Sequence, residues 1–499
     1  MPVRIIPGAV STDRLRALVI ASGDAQPALT IEALQGGPAP ALKIRAHAAG
    51  DSRIDQHIRK AGLSLWVCEA EGLRPGADYH LRAGSERPVH VKTFPAELPK
   101  AGISLALASC YYEAFGRHKD YLQTLQSAPS YGPLAAKLLV GDNIYVDVGA
   151  APGQARSGAE ETVGRYLQYY WRSGYADVMS YLPTFCLWDD HELWNNYPEW
   201  QIHLARSMAN ARADYTAAAL GSLKLFQAVL NPPPAARSGL SYRFDIPPVS
   251  CFALDLRAGR TVMKTASPRM TSEAELVAFE RWAANLKAPG IALFGQPLWI
   301  ARGNWMDYQP PDFSAEYSRI WRALTNAPYD VLVLSGDVHH SRLLELDTAK
   351  DRKVWELVSS PACMIPTMES IGAQAFDVQD KGMLTFPLAY PGGPSGPPNL
   401  RAYHFGTEIS NTVAFIKLAP ADAGGIAVTT CFMDLTTKTV ARNTRPRVAA
   451  RWRRRSRSGA RPPLCSRSGR ERGCLEGQVH VTRCDRACPN GHVVGDRRA

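Results

Sequence analysis

The chain has 499 residues, of which 45% are hydrophobic and 21% charged, so disorder throughout is excluded and two or three domains are expected. The formal net charge of +11 is confined to one end, because residues 445–499 contain 15 Arg, no Lys and only 4 acidic residues. The preceding residues are therefore neutral overall. Composition gives no reason to expect a basic nucleic-acid-binding surface on the body of the protein.

The N-terminus and the cysteines indicate a soluble protein of a reducing compartment. Apolar runs near the N-terminus are interrupted by Asp13, Arg14 and Arg16, so neither a signal peptide nor a membrane-spanning segment is expected. Wide spacing favours buried thiols over a disulfide framework for the six cysteines before residue 445, which are Cys68, Cys110, Cys186, Cys251, Cys363 and Cys431. We therefore expect a cytoplasmic protein.

Residues 1–98 are predicted to form a small all-β domain of the sandwich type. Short apolar runs are separated by turn residues, and the sequence Gly-Leu-Arg-Pro-Gly at 72–76, with the strands around it, resembles the last strands of a fibronectin-like domain. This pattern carries no chemistry, so a scaffold or lid role is expected for the domain.

Residues 99–444 alternate between strands and helical stretches, which is the pattern of an α/β domain. The clearest helix is predicted over residues 272–287, since it opens with the capping box of Ser272 and Glu275 and stops at a Pro-Gly pair. Buried strands are predicted at 103–108, 137–140, 184–188, 249–256, 291–294 and 331–334, and two later strands at 413–418 and 426–432. Loops are predicted at 150–159, 231–239 and 390–399.

Four of these predicted strands are followed directly by residues that bind metal ions in other proteins. The segments are Ser-Cys at 109–110, Gly-Asp-Asn-Ile-Tyr-Val-Asp at 141–147, Asp-Asp-His-Glu at 189–192 and Ser-Gly-Asp-Val-His-His at 335–340. Since the carboxyl ends of strands in an α/β sheet converge on one rim, we expect these side chains to meet. A carboxylate can bridge two cations, and two adjacent cations can bind a phosphoryl group and activate water. The sequence therefore predicts a multinuclear metal site.

Each motif alone also has a purely structural explanation. Cys110 taken by itself is more simply a buried core residue, the acidic pair before His191 can cap a helix, and Asp337 can belong to a strand-end turn. Four such motifs, each immediately after a buried strand, favour one shared site instead.

The order SC … GDNIYVD … LWDDHELWNN … LDLR … LSGDVHHS … SSP resembles the PhoD-like (alkaline phosphatase D) metallophosphatases of the calcineurin-like metallophosphoesterase superfamily. The resemblance covers roughly residues 103–432 and implies an αββα-sandwich metallophosphoesterase domain. It implies a phosphatase or phosphodiesterase in which a hydroxide held by the metals attacks the phosphorus of a small phosphate ester. The implied cofactors are Fe³⁺ and Ca²⁺, or another divalent pair such as Mn²⁺ or Zn²⁺.

The resemblance also implies roles for individual residues. The implied metal ligands are Cys110, Asp142, Tyr145, Asp190, Asp337 and His339, with Asp147 and Asp189 as further ones. Among these, Asp142 would bridge two metals and Tyr145 would bind ferric iron. The residues implied to act on the substrate are His191 and Arg257 in catalysis, and Arg257, Arg260 and Asn195 in binding. The chain departs from the family pattern at Tyr111, where a Gln is common, and it lacks the twin-arginine export signal of many relatives.

Residues 445–499 are predicted to be a disordered, Arg-rich tail, because they contain few apolar residues and no periodicity. An alternative function follows from it: a nucleic-acid-binding or scaffold protein that acts through the tail and keeps a vestigial metal site. The abrupt change of composition is also what translation in a shifted frame would produce. The preference for monoesters or diesters, the physiological substrate, the native metals and the oligomeric state stay open at the level of sequence.

Overall fold

The computed structural model describes residues 2–37, 39–127, 132, 134–148, 157–201, 207–300, 302–303, 307–348, 352–363, 403–408, 410–421, 425–438 and 450–452. Its strands are β1 (Val3–Val10), β2 (Arg14–Ser22), β3 (Leu29–Ala33), β4 (Leu42–Ala46), β5 (Leu63–Glu71), β6 (Asp78–Ala83), β7 (Val89–Lys92), β8 (Ile103–Ala108), β9 (Leu134–Val140), β10 (Thr184–Leu187), β11 (Tyr242–Ile246), β12 (Val249–Ala253), β13 (Gly290–Leu293), β14 (Val331–Ser335), β15 (Ser341–Asp347), β16 (Lys353–Val358), β17 (Tyr403–Glu408), β18 (Thr412–Pro420), β19 (Ile426–Asp434) and β20 (Ala450–Trp452). Its α-helices are α1 (Ser52–Lys60), α2 (His118–Gln126), α3 (Gly158–Leu167), α4 (Tyr175–Ser180), α5 (Ala209–Phe226), α6 (Glu273–Ala284) and α7 (Ser314–Asn326). Within these ranges, no helix has both the length and the apolar character needed to cross a bilayer.

The first 98 residues form two antiparallel sheets, with strand orders β1-β2-β5-β4 and β3-β6-β7. They also contain α1, which the all-β prediction missed. This helix begins after Asp51, whose side chain accepts a hydrogen bond from the Arg53 N–H, and it buries Ile54 and Ile58 one turn apart. The signal is short and mostly polar, so packing against the sheet decides the helix more than the sequence does.

A six-stranded sheet has the order β10-β9-β8-β18-β19-β20. Strands β8, β9 and β10 run parallel, whereas β18 and β19 are antiparallel to their neighbours. Three residues of the predicted tail, 450–452, belong to this sheet, because β20 pairs with β19. The structure describes no other residues of the predicted tail, since 445–449 and 453–499 lie outside the described parts of the chain, as does the predicted loop 390–399.

A seven-stranded sheet has the order β11-β12-β13-β14-β16-β15-β17, with β12, β13, β14 and β16 parallel. Strand β12 ends earlier than predicted, at Ala253. The carboxylate of Asp255 accepts hydrogen bonds from the N–H groups of Arg257 and Ala258, both at 2.9 Å, and so turns the chain away from the sheet. Helix α6 keeps its predicted cap, since Ser272 Oγ accepts from the Glu275 N–H, but it ends at Ala284.

Alternate residues of the parallel strands point to different parts of the core, as the period of a strand requires. Leu107 of β8 and Leu334 of β14 belong to one apolar cluster that lies between the two large sheets. Ala106 of β8 packs in a second cluster with α3, and Val333 of β14 packs in a third with α6 and α7. The chain is thus a mixed α/β protein in which two large sheets face each other and carry helices on their other faces. The six cysteines before residue 445 are all buried, and none of them forms a disulfide within the described parts of the chain, as expected for reduced thiols.

Candidate metal centre

The segments after four strands meet at one edge of the facing sheets. Three follow β8, β9 and β10 of the six-stranded sheet, and the fourth follows β14 of the seven-stranded sheet. The Cys110 N–H donates to the Gly141 carbonyl at 3.2 Å, which joins the first two segments. A Cβ atom at Gly336 would lie 2.3 Å from the Val140 carbonyl oxygen, so only glycine allows the two sheets to approach this closely here.

Seven side chains at this edge form three overlapping groups of potential metal ligands. In each group the donor atoms lie within 4.8 Å of one another: Cys110 with Asp142 and His339, Asp142 with Asp190 and His191, and Asp189 with Asp190 and Asp337. Asp142 and Asp190 each belong to two groups, so the three groups are continuous. A carboxylate with two oxygens can serve neighbouring cations in this way.

The backbone at this edge is unusual. Four of the potential ligands have left-handed backbone angles although none is glycine: Cys110 (φ 56°), Asp142 (φ 53°), Asp337 (φ 71°) and His339 (φ 50°). Such a conformation costs about 1 kcal/mol or more per residue and is concentrated at functional sites. Four such residues in one cluster indicate that the surrounding structure holds these side chains in place against a local preference.

The acidic groups crowd one another. Burial, together with Asp190 and Asp189, holds the pKa of Asp142 well above its usual range. Burial and Asp189 act in the same direction on the pKa of Asp337. For Asp190 burial also opposes ionisation, but Arg257 and His191 outweigh it and lower the pKa. Bound cations would relieve this repulsion.

One buried oxygen points to a missing partner. Oδ1 of Asp190 is buried and has no hydrogen-bond partner among the described residues, and Arg257 Nη2 lies 4.0 Å from it. A buried carboxylate oxygen without a partner costs free energy that a metal ion would repay. The residues present therefore fit a group of cations.

The donor types differ across the site. The first group combines a thiol, a carboxylate and an imidazole, which suits a transition metal such as iron or zinc. The third group consists of carboxylates only, which suits a hard cation such as calcium or manganese. Within the first group, Ser109 Oγ and Ser360 Oγ donate to Cys110 Sγ at 3.3 and 3.2 Å. Burial and the neighbouring Asp142 nevertheless raise the pKa of the Cys110 thiol, so a thiolate here requires a cation.

The ring of Tyr145 lies beside the first two groups. The phenol oxygen of Tyr145 lies 3.4 Å from His339 Nε2, and its ring centroid lies 4.1 Å from that of His191. Tyr145 is thus beside the first group, as its implied role as a ligand requires.

Asp147 lies beside His191, and its expected role as a further metal ligand stays a prediction. Its carboxylate lies 2.9 Å from His191 Nδ1 and accepts a hydrogen bond from the Asn195 N–H at 2.7 Å. Asp147 therefore orients His191 and the backbone of Asn195, and it is absent from the three groups formed by described residues.

Both arginines expected to bind the substrate are buried and bonded within the protein. Arg257 is 1% exposed and donates to both carboxylate oxygens of Asp189, at 2.6 and 3.0 Å, and to the Tyr197 carbonyl at 2.8 Å. Arg260 donates to the carbonyl of Leu256 at 3.0 Å and to Gln296 Oε1 at 2.5 Å. Both guanidinium groups thus position other residues of the site, and direct contact with a substrate stays a prediction.

Sequence reasoning missed two residues that hold the site together. Glu192 is buried and accepts hydrogen bonds from the N–H groups of Asn143, Asp189 and Asp142 at 2.7, 3.0 and 3.1 Å. Gln296 donates to Asp337 Oδ2 at 3.3 Å. Glu192 belongs to the Asp-Asp-His-Glu motif, from which only metal ligands and a catalytic histidine were predicted. Gln296 follows β13, whose end lies at the same edge as those of the other four strands.

No protein-family model matches the chain, and no curated protein matches it. A solved structure that is similar is "GAP50 the anchor in the inner membrane complex of Plasmodium", with a TM-score of 0.37 and 10% sequence identity. The match covers 71% of this chain and 90% of that chain. A likeness at this level carries no argument about fold or function.

Proposed function

We propose that the protein is a metal-dependent hydrolase of phosphoric esters, a phosphatase or phosphodiesterase of the PhoD-like type with the αββα metallophosphoesterase fold. The observation that carries the proposal is the continuous set of three ligand groups at the edge of two facing sheets. The two sheets with helices on their outer faces, and the motif order of the sequence, support the same assignment.

The first group would hold a transition metal at Cys110, Asp142 and His339, and the third would hold a further cation at Asp189, Asp190 and Asp337. Asp142 and Asp190 of the second group would connect the two cations and leave His191 to the substrate. When bound, such cations lower the pKa of a water molecule and neutralise the charge that builds up on a phosphoryl group during displacement. Arg257 orients Asp189 through two hydrogen bonds. Burial raises the pKa of Asp189, and Arg257 acts against that rise by favouring the ionised form. Glu192 fixes the backbone of Asp142 and Asp189, so the carboxylates keep their spacing as the substrate binds.

His191 is the proposed proton donor to the leaving oxygen. One ring nitrogen is held by Asp147 at 2.9 Å, which leaves the other for the substrate and fixes the plane of the ring. Asp147, Asp142 and Asp190 together outweigh the effect of burial and raise the pKa of His191. The carboxylate of Asp147 stabilises the protonated imidazole that a general acid requires.

The test replaces the shared ligand. Asp142→Asn removes a negative charge between two ligand groups, so the variant should bind less metal and lose nearly all hydrolysis of p-nitrophenyl phosphate and bis(p-nitrophenyl) phosphate. The general contribution of metal ions to such reactions makes a loss of at least about 10³-fold reasonable. Metal content is measured by elemental analysis and folding by circular dichroism.

Asp24→Asn serves as the control, since it removes an exposed carboxylate in the turn after β2. It should keep both metal and activity. Full activity in a folded Asp142→Asn variant, or wild-type protein that hydrolyses neither ester when supplied with iron, calcium, manganese or zinc, would sink the assignment.

A further inference from the structure

A row of aromatic rings runs from the candidate metal centre to the protein surface. The ring of His191 lies 4.1 Å from that of Tyr145, which lies 5.6 Å from Tyr112, which in turn lies 5.2 Å from Phe115. The last two contacts are edge-to-face, a favourable arrangement for aromatic pairs. We refer to Tyr112 and Phe115 as the aromatic wall.

The wall lies on the open side of the site. Most potential ligands are buried, whereas Asp337 and His339 are partly exposed. Tyr145 contacts both His339 and His191. Tyr112 is partly exposed and Phe115 is 39% exposed, so the rings become more accessible with distance from the ligands.

The wall is built on a rigid segment. The Tyr112 N–H donates to the Cys363 carbonyl at 3.1 Å, and a short 3₁₀ turn over Glu113–Phe115 ends at Gly116, whose φ of 66° favours glycine. The backbone that carries both rings is therefore tied to β8 and to the segment after β16. A rigid apolar surface binds a flat apolar group at a low entropic cost.

Single exposed apolar side chains are common and need no function. What sets Phe115 apart is its unbroken ring contact, through Tyr112 and Tyr145, with the proposed proton donor His191. Tyr112 and Phe115 are thus the more exposed end of the row of rings that begins at His191.

We propose that the aromatic wall binds the organic part of the substrate, so that the preferred substrates are phosphate esters with an aromatic or flat apolar group next to the phosphate. This inference rests on the proposed function, because it takes the metal centre as the place of the phosphoryl group. It adds the chemical class of the leaving group, which the ligand set does not determine.

The first test measures binding without turnover. With Mn²⁺ present, calorimetry should show that phenylphosphonate binds more tightly than methylphosphonate. The ratio of affinities should be at least about five-fold, as expected for one aromatic contact. Phe115→Ala and Tyr112→Leu should reduce this ratio, whereas Leu34→Ala, which removes an exposed apolar side chain of the N-terminal unit, should leave it unchanged. Equal affinity for the two phosphonates, or no binding of either, would contradict the proposed binding role of the aromatic wall.

The second test separates this proposal from the hydrolase assignment. In Phe115→Ala, KM for p-nitrophenyl phosphate should rise about five-fold while KM for glycerol 2-phosphate stays constant and kcat changes little. If both substrates are hydrolysed and the variant changes KM for both equally, the aromatic wall does not bind the organic part of the substrate, whereas the hydrolase assignment is kept. If neither substrate is hydrolysed but phenylphosphonate still binds more tightly than methylphosphonate, the aromatic wall binds apolar groups as proposed and the hydrolase assignment is wrong.

Discussion

At the scale of single residues, the site depends as much on the groups that hold the ligands as on the ligands themselves. Asp189 is bonded to Arg257, His191 to Asp147, and Asp337 to Gln296. Partners of this kind fix the orientation of metal ligands and substrate groups, and their loss commonly costs 10- to 100-fold in metal affinity or activity.

The contact between Asp147 and His191 leads us to expect that the loss of kcat in an Asp147 variant depends on the leaving group of the ester. Asp147→Asn removes the carboxylate that orients the imidazole, so kcat should fall for esters whose alcohol must be protonated as it leaves. We expect a loss of about 10²-fold for glycerol 2-phosphate and a much smaller loss for p-nitrophenyl phosphate, since nitrophenolate leaves without a proton. Equal losses for the two substrates would show that Asp147 has no part in proton transfer.

The position of Gln296 leads us to expect that its replacement lowers the affinity of the site for metal ions. Arg260 donates to Gln296 Oε1, which forces the amide nitrogen toward Asp337 Oδ2. Gln296→Leu removes that donor, so we expect Mn²⁺ to bind about 10-fold more weakly in a calorimetric titration. Gln35→Leu, which removes an exposed amide in the turn after β3, is the control. Unchanged Mn²⁺ affinity in the Gln296 variant would contradict its positioning role.

At the scale of elements, a buried lysine connects strand β9 to the end of helix α4. Lys137 of β9 is buried, and its Nζ donates to the carbonyls of Val178 at 2.7 Å, Leu182 at 3.2 Å and Met179 at 3.4 Å. Two of these carbonyls, those of Val178 and Met179, belong to the last turn of α4, where a cationic side chain is favourable. Strand β9 leads directly to Asp142, so this contact supports the strand that carries the shared ligand.

Burial lowers the pKa of Lys137 to about 7 from its usual value near 10.5. Between these two pH values the unfolded chain binds a proton at this residue that the folded chain does not, so this group makes stability rise with pH. The slope is at most about 1.4 kcal/mol per pH unit. We expect Lys137→Met to remove this contribution, which urea unfolding of both proteins at pH 7, 8 and 9 will measure. Parallel stability curves for wild type and variant would rule it out.

At the scale of the whole molecule, the charge and the candidate site lie in different parts of the chain. The Arg-rich segment carries the net charge of +11, whereas the ligand groups lie between residues 110 and 339 of a neutral body. Anion binding by the body is therefore expected to come from cations at the site.

Deletion of residues 453–499 separates the two candidate functions and leaves β20 in place to pair with β19. The truncated protein should hydrolyse p-nitrophenyl phosphate with wild-type kcat and KM. Any affinity of the full chain for DNA should be steeply salt-dependent and should disappear with the segment. Loss of turnover on truncation would favour a role for the tail in the reaction.

The buried strands and the ligand motifs were accessible from the sequence because their signals are local. Strand β8 coincides with the predicted residues 103–108, and the predicted metal ligands Cys110 and Asp142 are among those the structure groups together. Helix α1 and the early end of β12 were missed, since a single polar turn or an Asp side chain bonded to the backbone decides them.

The sequence alone determined the strand pattern, the metal-ligand residue types and the division into a neutral body and a basic end. Only the tertiary structure decided that the ligands come from two different sheets, that Asp147 faces His191, and that both predicted phosphate-binding arginines are bonded to other protein groups. The physical reason is range. Periodicity and capping act over a few residues, whereas Arg257 and Asp189, like Gln296 and Asp337, meet only when packed sheets bring distant strand ends together.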